Sequence, residues 1–271
     1  MIESQTAPIV LVHGIFGFSQ LTLGGLNIAD YFRLIPDALR RDGHVVPTPP
    51  QLNPAGSIAE RALDLKEYLQ SQNEVFDKKV HIVAHSLAGL DARQMISKLD
   101  MADRVLSLTT ISTPHHGTPV ADIVIEHTNP ALNQFVEHLG IDIKAASDLT
   151  TRACRQFNLD VLDSPGIGYF SIASKFEPPR ILGRPIGLLG HTHDLVSERE
   201  QSNDGVVSVQ SATFAERSDS WTSLGVWEVS HFRLINWGTD IVPSPFELID
   251  NTIVERYRTL VNQVKELVGL R

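Results

Sequence analysis

Val80-His81-Ile82-Val83-Ala84-His85-Ser86-Leu87-Ala88-Gly89 passes from an apolar run through a serine into the amphipathic stretch Leu87 to Leu99. A strand that turns through a serine into a helix is the layout of a nucleophile elbow. The tight turn pushes the hydroxyl out of the sheet and leaves the next backbone N–H free to face a substrate oxygen. Strand and helix backbones nearly touch there, so the flanking residues must be small. Ala84 and Ala88 hold those positions, where the usual G-x-S-x-G pattern has glycine. A turn that merely contains a serine is the competing reading, and the rest of the chain bears on the choice.

Outward from this turn, short β-type runs alternate with helical ones. Strands are expected at Ile9–Val12, around Val45–Val46, and at Val80–Ala84, Val105–Ile111, Ile167–Ala173 and Gly225–Val229. A helix over Ile28–Arg41 would end at Gly43. Another over Ser57–Leu69 would open with the capping box Ser57/Glu60 and place Ile58, Ala62, Leu65 and Leu69 on one face. The last would run from Phe246 to Val268. This alternation predicts an α/β fold, with a mostly parallel central sheet flanked by helices. A length of 271 residues fits a single domain, 1–271. Two stretches break the rhythm. Residues 119–165 are helical in character and read as an inserted cap or lid; 175–203, rich in Pro and Gly, reads as a long loop.

Composition narrows the function classes. Hydrophobic residues make up 42% of the chain, the proportion of a soluble globular protein. Lys and Arg number 23 against 32 Asp and Glu, a formal net charge of −9 with no basic cluster, which argues against a nucleic-acid partner. The single cysteine, Cys154, excludes an internal disulfide and reads as a small buried apolar residue. No apolar run reaches transmembrane length. No signal peptide precedes Pro8-Ile9-Val10-Leu11-Val12, so the expectation is a cytoplasmic protein or the mature form of an exported one.

Hydrolysis by a serine needs a histidine to take the proton, a carboxylate to orient that histidine, and N–H donors for the oxyanion. It needs no cofactor. Among eleven histidines, His231 in Glu228-Val229-Ser230-His231-Phe232 follows the last strand-like run, where a loop can reach the elbow. His81 falls inside a strand, His44 at a strand start, and His127 and His138 in the cap. The carboxylate is read as Asp204, in Ser202-Asn203-Asp204-Gly205, although Asn-Asp-Gly is also ordinary turn chemistry. Asp219 is its rival, being closer in sequence to His231; Glu216 and Asp240 are further carboxylates. The oxyanion donors would be the N–H groups of Leu87 and of Ile15, the latter in the glycine-containing loop His13–Phe18. Phe16 and Phe18, beside Leu87, would line an apolar acyl pocket.

Val12-His13-Gly14-Ile15-Phe16-Gly17-Phe18, Ile35-Pro36-Asp37-Ala38-Leu39-Arg40-Arg41-Asp42-Gly43, the elbow with Leu90-Asp91-Ala92-Arg93, Ser112-Thr113-Pro114-His115-His116-Gly117-Thr118-Pro119 and Ser202-Asn203-Asp204-Gly205-Val206-Val207 together resemble bacterial and fungal triacylglycerol lipases. The resemblance implies an α/β-hydrolase core that lacks the family's first two strands, with Ser86, Asp204 and His231 as a triad. It implies an ester or lipid substrate, and the apolar residues of the 119–165 cap suggest transient contact with a lipid surface. In one bacterial branch the Asn-Asp-Gly aspartate binds calcium, with a second aspartate two residues after the histidine. Arg233 stands at that second position, so calcium is not carried over. His191-Thr192-His193-Asp194 could bind zinc by donor chemistry, or be a polar turn in the long loop. The activities left open are a triacylglycerol lipase, a short-chain carboxylesterase, a polyester depolymerase of the polyhydroxyalkanoate type, and a binding protein that only keeps the fold.

Overall fold

The computed structural model describes residues 2–14, 20–23, 26–54, 56–71, 78–126, 143–214, 220–238 and 251–270. Along the chain come α1 (Ile2–Thr6), β1 (Ile9–Val12), β2 (Gln20–Leu23), β3 (Leu26–Asp30), α2 (Ile35–Arg41), α3 (Ile58–Ser71), β4 (Val80–His85), α4 (Ala88–Lys98) and β5 (Val105–Ile111). They are followed by α5 (Pro119–Ile125), α6 (Ile143–Asp148), α7 (Thr151–Asp160), β6 (Gly168–Lys175), β7 (Arg180–Ile181) and β8 (Arg184–Pro185). Last come α8 (Leu188–Glu200), α9 (Val209–Thr213), β9 (Trp221–Glu228) and α10 (Asn251–Gly269).

Five strands form the central sheet in the order β1-β4-β5-β6-β9, every neighbouring pair parallel. A parallel sheet needs crossovers that cover both faces, and the strand sequences are apolar on both sides accordingly. Ile9 and Leu11 of β1 pack with Val83, Ile111 and Phe170 against α2 and α10. Val10 and Val12 point the other way and pack with Ile82, Ala84 and Leu108 against α3 and α4. All parallel strands end at the same side, and the loops there carry the site.

The helix signals near α3 act as read. The Ser57 N–H donates to Glu60 Oε2 at 2.7 Å, and the Glu60 N–H returns to Ser57 Oγ at 3.3 Å. Gly43 takes φ 87° just past α2. Three expectations are corrected. The helix read over Ile28–Arg41 begins only at Ile35, where Pro36 supplies a preset first-turn φ; Leu26–Asp30 instead pairs with Gln20–Leu23 as an antiparallel hairpin. Val45–Val46 forms no strand. Ile9 N–H donates to the Val45 carbonyl at 2.8 Å, and the prolines 47, 49 and 50 then offer no N–H to extend a ladder. The 175–203 loop contains the β7–β8 hairpin and the helix α8. Pro178, Pro179 and Gly187 flank those elements, while Gly183, Pro185 and Gly190 lie within them. Of the α8 apolar residues, Leu189 and Val196 are buried two turns apart, too few to show as a periodic stripe.

Within 119–165, α5, α6 and α7 are described and 127–142 lie outside the described residues, His127 and His138 among them. Val120, Ile123 and Val124 of α5 pack on Ala146 and on Val196 of α8. Among the described residues no helix is long and apolar enough to cross a membrane.

Candidate active site

Ser86 sits between β4 and α4 with φ 59°, a left-handed conformation that a non-glycine residue holds at a cost of about 1–3 kcal/mol and only where the surroundings enforce it. The enforcement is visible. The Ser86 N–H donates to the Ile111 carbonyl at 2.9 Å, and the Thr113 hydroxyl donates to the Ser86 carbonyl at 2.7 Å. Ala84 and Ala88 are fully buried, but the tightest approach is one residue further on. A Cβ on Gly89 would lie 2.2 Å from Thr113 Oγ1 and 2.8 Å from Thr110 Cγ2. The glycine that lets the helix close on the next strand is therefore Gly89. On the other side, a Cβ on Gly14 would lie 2.9 Å from both Ser86 Cβ and the Tyr31 hydroxyl.

The Ser86 hydroxyl lies 3.1 Å from His231 Nε2, and His231 Nδ1 lies 2.8 Å from Asp204 Oδ2. His231 follows β9 directly, and its own N–H donates to the Asp204 carbonyl at 3.0 Å, locking the two loops together. The Asp204 side chain is wholly buried, a position that by itself pushes a carboxyl up. The neighbouring imidazole of His231 and a set of hydrogen bonds outweigh that and hold it below the usual carboxylate range. Oδ1 accepts the Val206 and Val207 N–H groups at 3.0 and 2.8 Å; Oδ2 accepts the Ser174 hydroxyl at 2.7 Å and that of Ser112 as well. An ionised Asp204 places the proton of a neutral His231 on Nδ1, and the Nε2 lone pair then faces Ser86.

Asn203 braces this loop from behind. Its amide donates to the His193 carbonyl, Ser197 Oγ and the Gln201 carbonyl, and its oxygen accepts the Gly205 N–H at 2.8 Å. Gly205 holds φ 95° against Leu189, where a Cβ would meet the Leu189 side chain at 2.7 Å. The Asn-Asp-Gly turn chemistry and the carboxylate's placement beside His231 are thus the same structure.

Two buried networks reach the site from the β1 end. The Tyr31 hydroxyl accepts the Gly14 N–H at 3.0 Å and lies within hydrogen-bond distance, 2.8 Å, of His85 Nδ1. The His85 ring lies 4.7 Å from that of His231, and burial, with His231 nearby, drives its pKa well below the ordinary value. It therefore stays neutral beside the His231 imidazole. Arg61, fully buried, donates to Asp91 Oδ2 at 2.8 Å and to the His13 and Gly14 carbonyls at 2.8 and 3.3 Å.

Leu87 is buried at the N-terminus of α4, where its N–H has no intrahelical acceptor. Ile15, Phe16 and Phe18, read as oxyanion and acyl-pocket residues, and Asp219, the rival carboxylate, lie outside the described residues, as do Glu216 and Asp240. His81 lies in β4 with its nitrogens 2.7 Å from Ser107 Oγ and 2.9 Å from the Ser4 carbonyl. Cys154 is buried, which pushes its thiol up to about 12. His191, His193 and Asp194 lie on α8, and the Asp194 carboxylate is engaged by Arg180 at 2.5 and 3.2 Å. Among the described residues no three His, Cys, Asp or Glu side chains gather to hold a metal.

Sequence reading did not single out Tyr31, His85, Arg61, Asp91, Ser112 or Ser174. Arg61 and Asp91 carried a signal: each is a charge within the apolar face of its helix, beside Ala62 and Ala92.

Residues 7–137 match the family model of the α/β-hydrolase fold. Triacylglycerol lipase 2 of Saccharomyces cerevisiae is 31% identical over 194 residues, 67% of this chain and 55% of that protein. A Vibrio cholerae triacylglycerol lipase is 41% identical over 118 residues, 43% of this chain and 35% of that one. The chain thus spans about half the length, or less, of these curated relatives. Among solved structures, a Staphylococcus hyicus lipase superposes with TM-score 0.72 over 98% of this chain and 97% of its own, at 19% identity. The mature form of a Bacillus licheniformis lipase superposes with TM-score 0.69 over 85% of this chain and 86% of its own, at 22% identity. The chain thus has the α/β-hydrolase fold and is similar in sequence to triacylglycerol lipases.

Proposed function

We propose that the protein is a serine carboxylic-ester hydrolase, a triacylglycerol lipase acting through Ser86, His231 and Asp204. The observation that carries the reading is the chain of contacts from the Ser86 hydroxyl to His231 Nε2 at 3.1 Å and from His231 Nδ1 to Asp204 at 2.8 Å. In this reading His231 takes the Ser86 proton as the oxygen attacks the ester carbonyl. Asp204, held ionised by its donors, stabilises the imidazolium that forms. The Leu87 N–H, with that of Ile15, receives the oxyanion. His231 then returns the proton to the departing alkoxide, leaving an acyl-serine that water clears by the same steps in reverse roles. Phe16 and Phe18 would contact the acyl chain, and residues 119–165 would act as the cap over it. The triacylglycerol lipase relatives support a lipid ester as substrate.

Hydrolysis of p-nitrophenyl esters from acetate to palmitate tests the reading. A lipase prefers the long chains and gains rate once the substrate forms an interface. Preference for acetate or butyrate with no interfacial gain would make it a short-chain esterase. No turnover on any ester would leave a binding protein with a hydrolase fold.

A further inference from the structure

The β7–β8 hairpin carries an arrangement that its own folding does not explain. Arg180-Ile181 pairs with Arg184-Pro185 around the two-residue turn Leu182-Gly183. Both turn residues have positive φ, 50° for Leu182 and 79° for Gly183. A two-residue turn of this kind favours Asn, Asp or Gly at its first position, and leucine there is strained. Leu182 is nonetheless 98% exposed, and Ile181 beside it 61% exposed. A strained, fully solvated leucine next to an exposed isoleucine gives the fold nothing in return, and such an outlier points to use elsewhere.

The tip is held rigidly. Arg180 makes two bonds to Asp194 of α8 and one to the Gly183 carbonyl at 3.3 Å, so the turn is tied to the helix behind it. Leu189 of α8 packs in turn on Phe176 and on Phe232, the neighbour of His231. The hairpin thus stands at the carboxyl end of β6, on the side of the sheet where Ser86 and His231 emerge. Glu177 and Asp194 both act on Arg180; Arg184 is exposed and pairs with no carboxylate among the described residues.

We infer that this hairpin is the element that docks the protein on a phospholipid surface, Ile181 and Leu182 entering the acyl boundary and Arg184 meeting the phosphate layer. Two aliphatic side chains on a preorganised turn with a cation at its base suit the headgroup region, where apolar tips sink and a guanidinium stays among the phosphates. The inference rests on the proposed lipid substrate, since it places the active-site side of the sheet toward the lipid.

Flotation with phosphatidylcholine vesicles, and with vesicles enriched in phosphatidylglycerol, tests it without any turnover. Leu182→Asn suits the turn better than leucine, so the variant stays folded. Its partition coefficient is expected to fall about tenfold, while kcat/KM on a water-soluble ester stays at the wild-type value. Leu182→Cys labelled with an environment-sensitive dye, Cys154 being buried, is expected to brighten on vesicles. Wild-type protein that ignores both vesicles, or Leu182→Asn that binds as well as wild type, would overturn the inference. So would a loss of self-association, rather than of vesicle binding, in Leu182→Asn, which would make the tip a contact with a second copy. Vesicle binding without hydrolysis of any ester would refute the proposed function and leave the docking surface standing.

Discussion

The Arg61 guanidinium and the Asp91 carboxylate meet at 2.8 Å with neither side chain exposed, and the same guanidinium holds the carbonyls of His13 and Gly14. The pair therefore joins α3 and α4 to the loop that leaves β1 beside Ser86. Burial pushes the Asp91 carboxyl up to about 7 against the pull of Arg61. Removing one partner strands the other in the core. Asp91→Ala is expected to cost about 3–5 kcal/mol in urea unfolding, far beyond a surface ion pair. A cost near that of the exposed pair Arg40–Asp37 would mean that the loop is held by other contacts.

Tyr31→Phe keeps the ring packing and removes only the hydroxyl that serves Gly14 and His85. The Gly14 N–H is left without that acceptor, and the loop toward Ile15 loses a fixed point. The expected result is a loss of about 1–3 kcal/mol in stability. A fall in kcat of roughly tenfold at nearly constant KM should accompany it if Ile15 serves as the proposed oxyanion donor, because its displacement would be felt in the transition state. Steady-state kinetics on a soluble ester separates this from simple destabilisation, which would lower the active fraction and be recovered on cooling.

At the elbow the two alanines and the glycine behave differently. Ala84→Gly and Ala88→Gly remove a methyl each and are expected to leave the rate within a fewfold of wild type. Gly89→Ala drives a methyl into Thr113 and is expected to destabilise by about 1–3 kcal/mol or more and to displace Ser86. Thermal melts beside kcat/KM for the three variants check the order.

Buried neutral histidines set the acid limit of the fold. Burial lowers His13 and His81 from 6.5 to about 4. Between those values the unfolded chain binds protons that the folded chain refuses. Their contribution is therefore complete above pH 6.5, is lost as pH falls through the window, and levels off below about 4. The depressed Asp204 carboxyl adds a further loss below its ordinary value of 3.8. The melting temperature should drop steadily from pH 7 to pH 4, less steeply in His81→Gln. A flat profile would contradict this assignment.

The carboxylate assignment is open to a direct comparison. Asp204→Asn is expected to reduce kcat by about four orders of magnitude, since the wrong imidazole tautomer would then face Ser86. Asp219→Asn is expected to stay close to wild type. Reversed outcomes would exchange the two roles.

Much of this was legible in the chain because the signals are local. The strand-serine-helix switch at Ser86, the Asn-Asp-Gly turn and the histidine after the last strand each reveal themselves within a few residues. What stayed hidden depends on long-range meetings. Ser112 reaches Asp204 across 92 residues, and no local pattern marks a serine for that task. Tyr31 falls within the stretch Ile28–Arg41 whose pattern predicts a helix, whereas Pro36 lets α2 begin only at Ile35. The helix α8 was missed for the opposite reason. Its glycine- and proline-rich flanks and sparse apolar residues imitate a loop, although Leu189 and Val196 anchor it.

Labelling with a fluorophosphonate tests the nucleophile most directly, because the reagent needs an activated serine and no substrate preference. One phosphonyl group per chain, carried by the Ser86 peptide, absent in Ser86→Ala and much slower to form in His231→Ala, is the expected result. An unlabelled wild-type protein, or equal labelling of wild type and Ser86→Ala, would show that Ser86 is not the nucleophile.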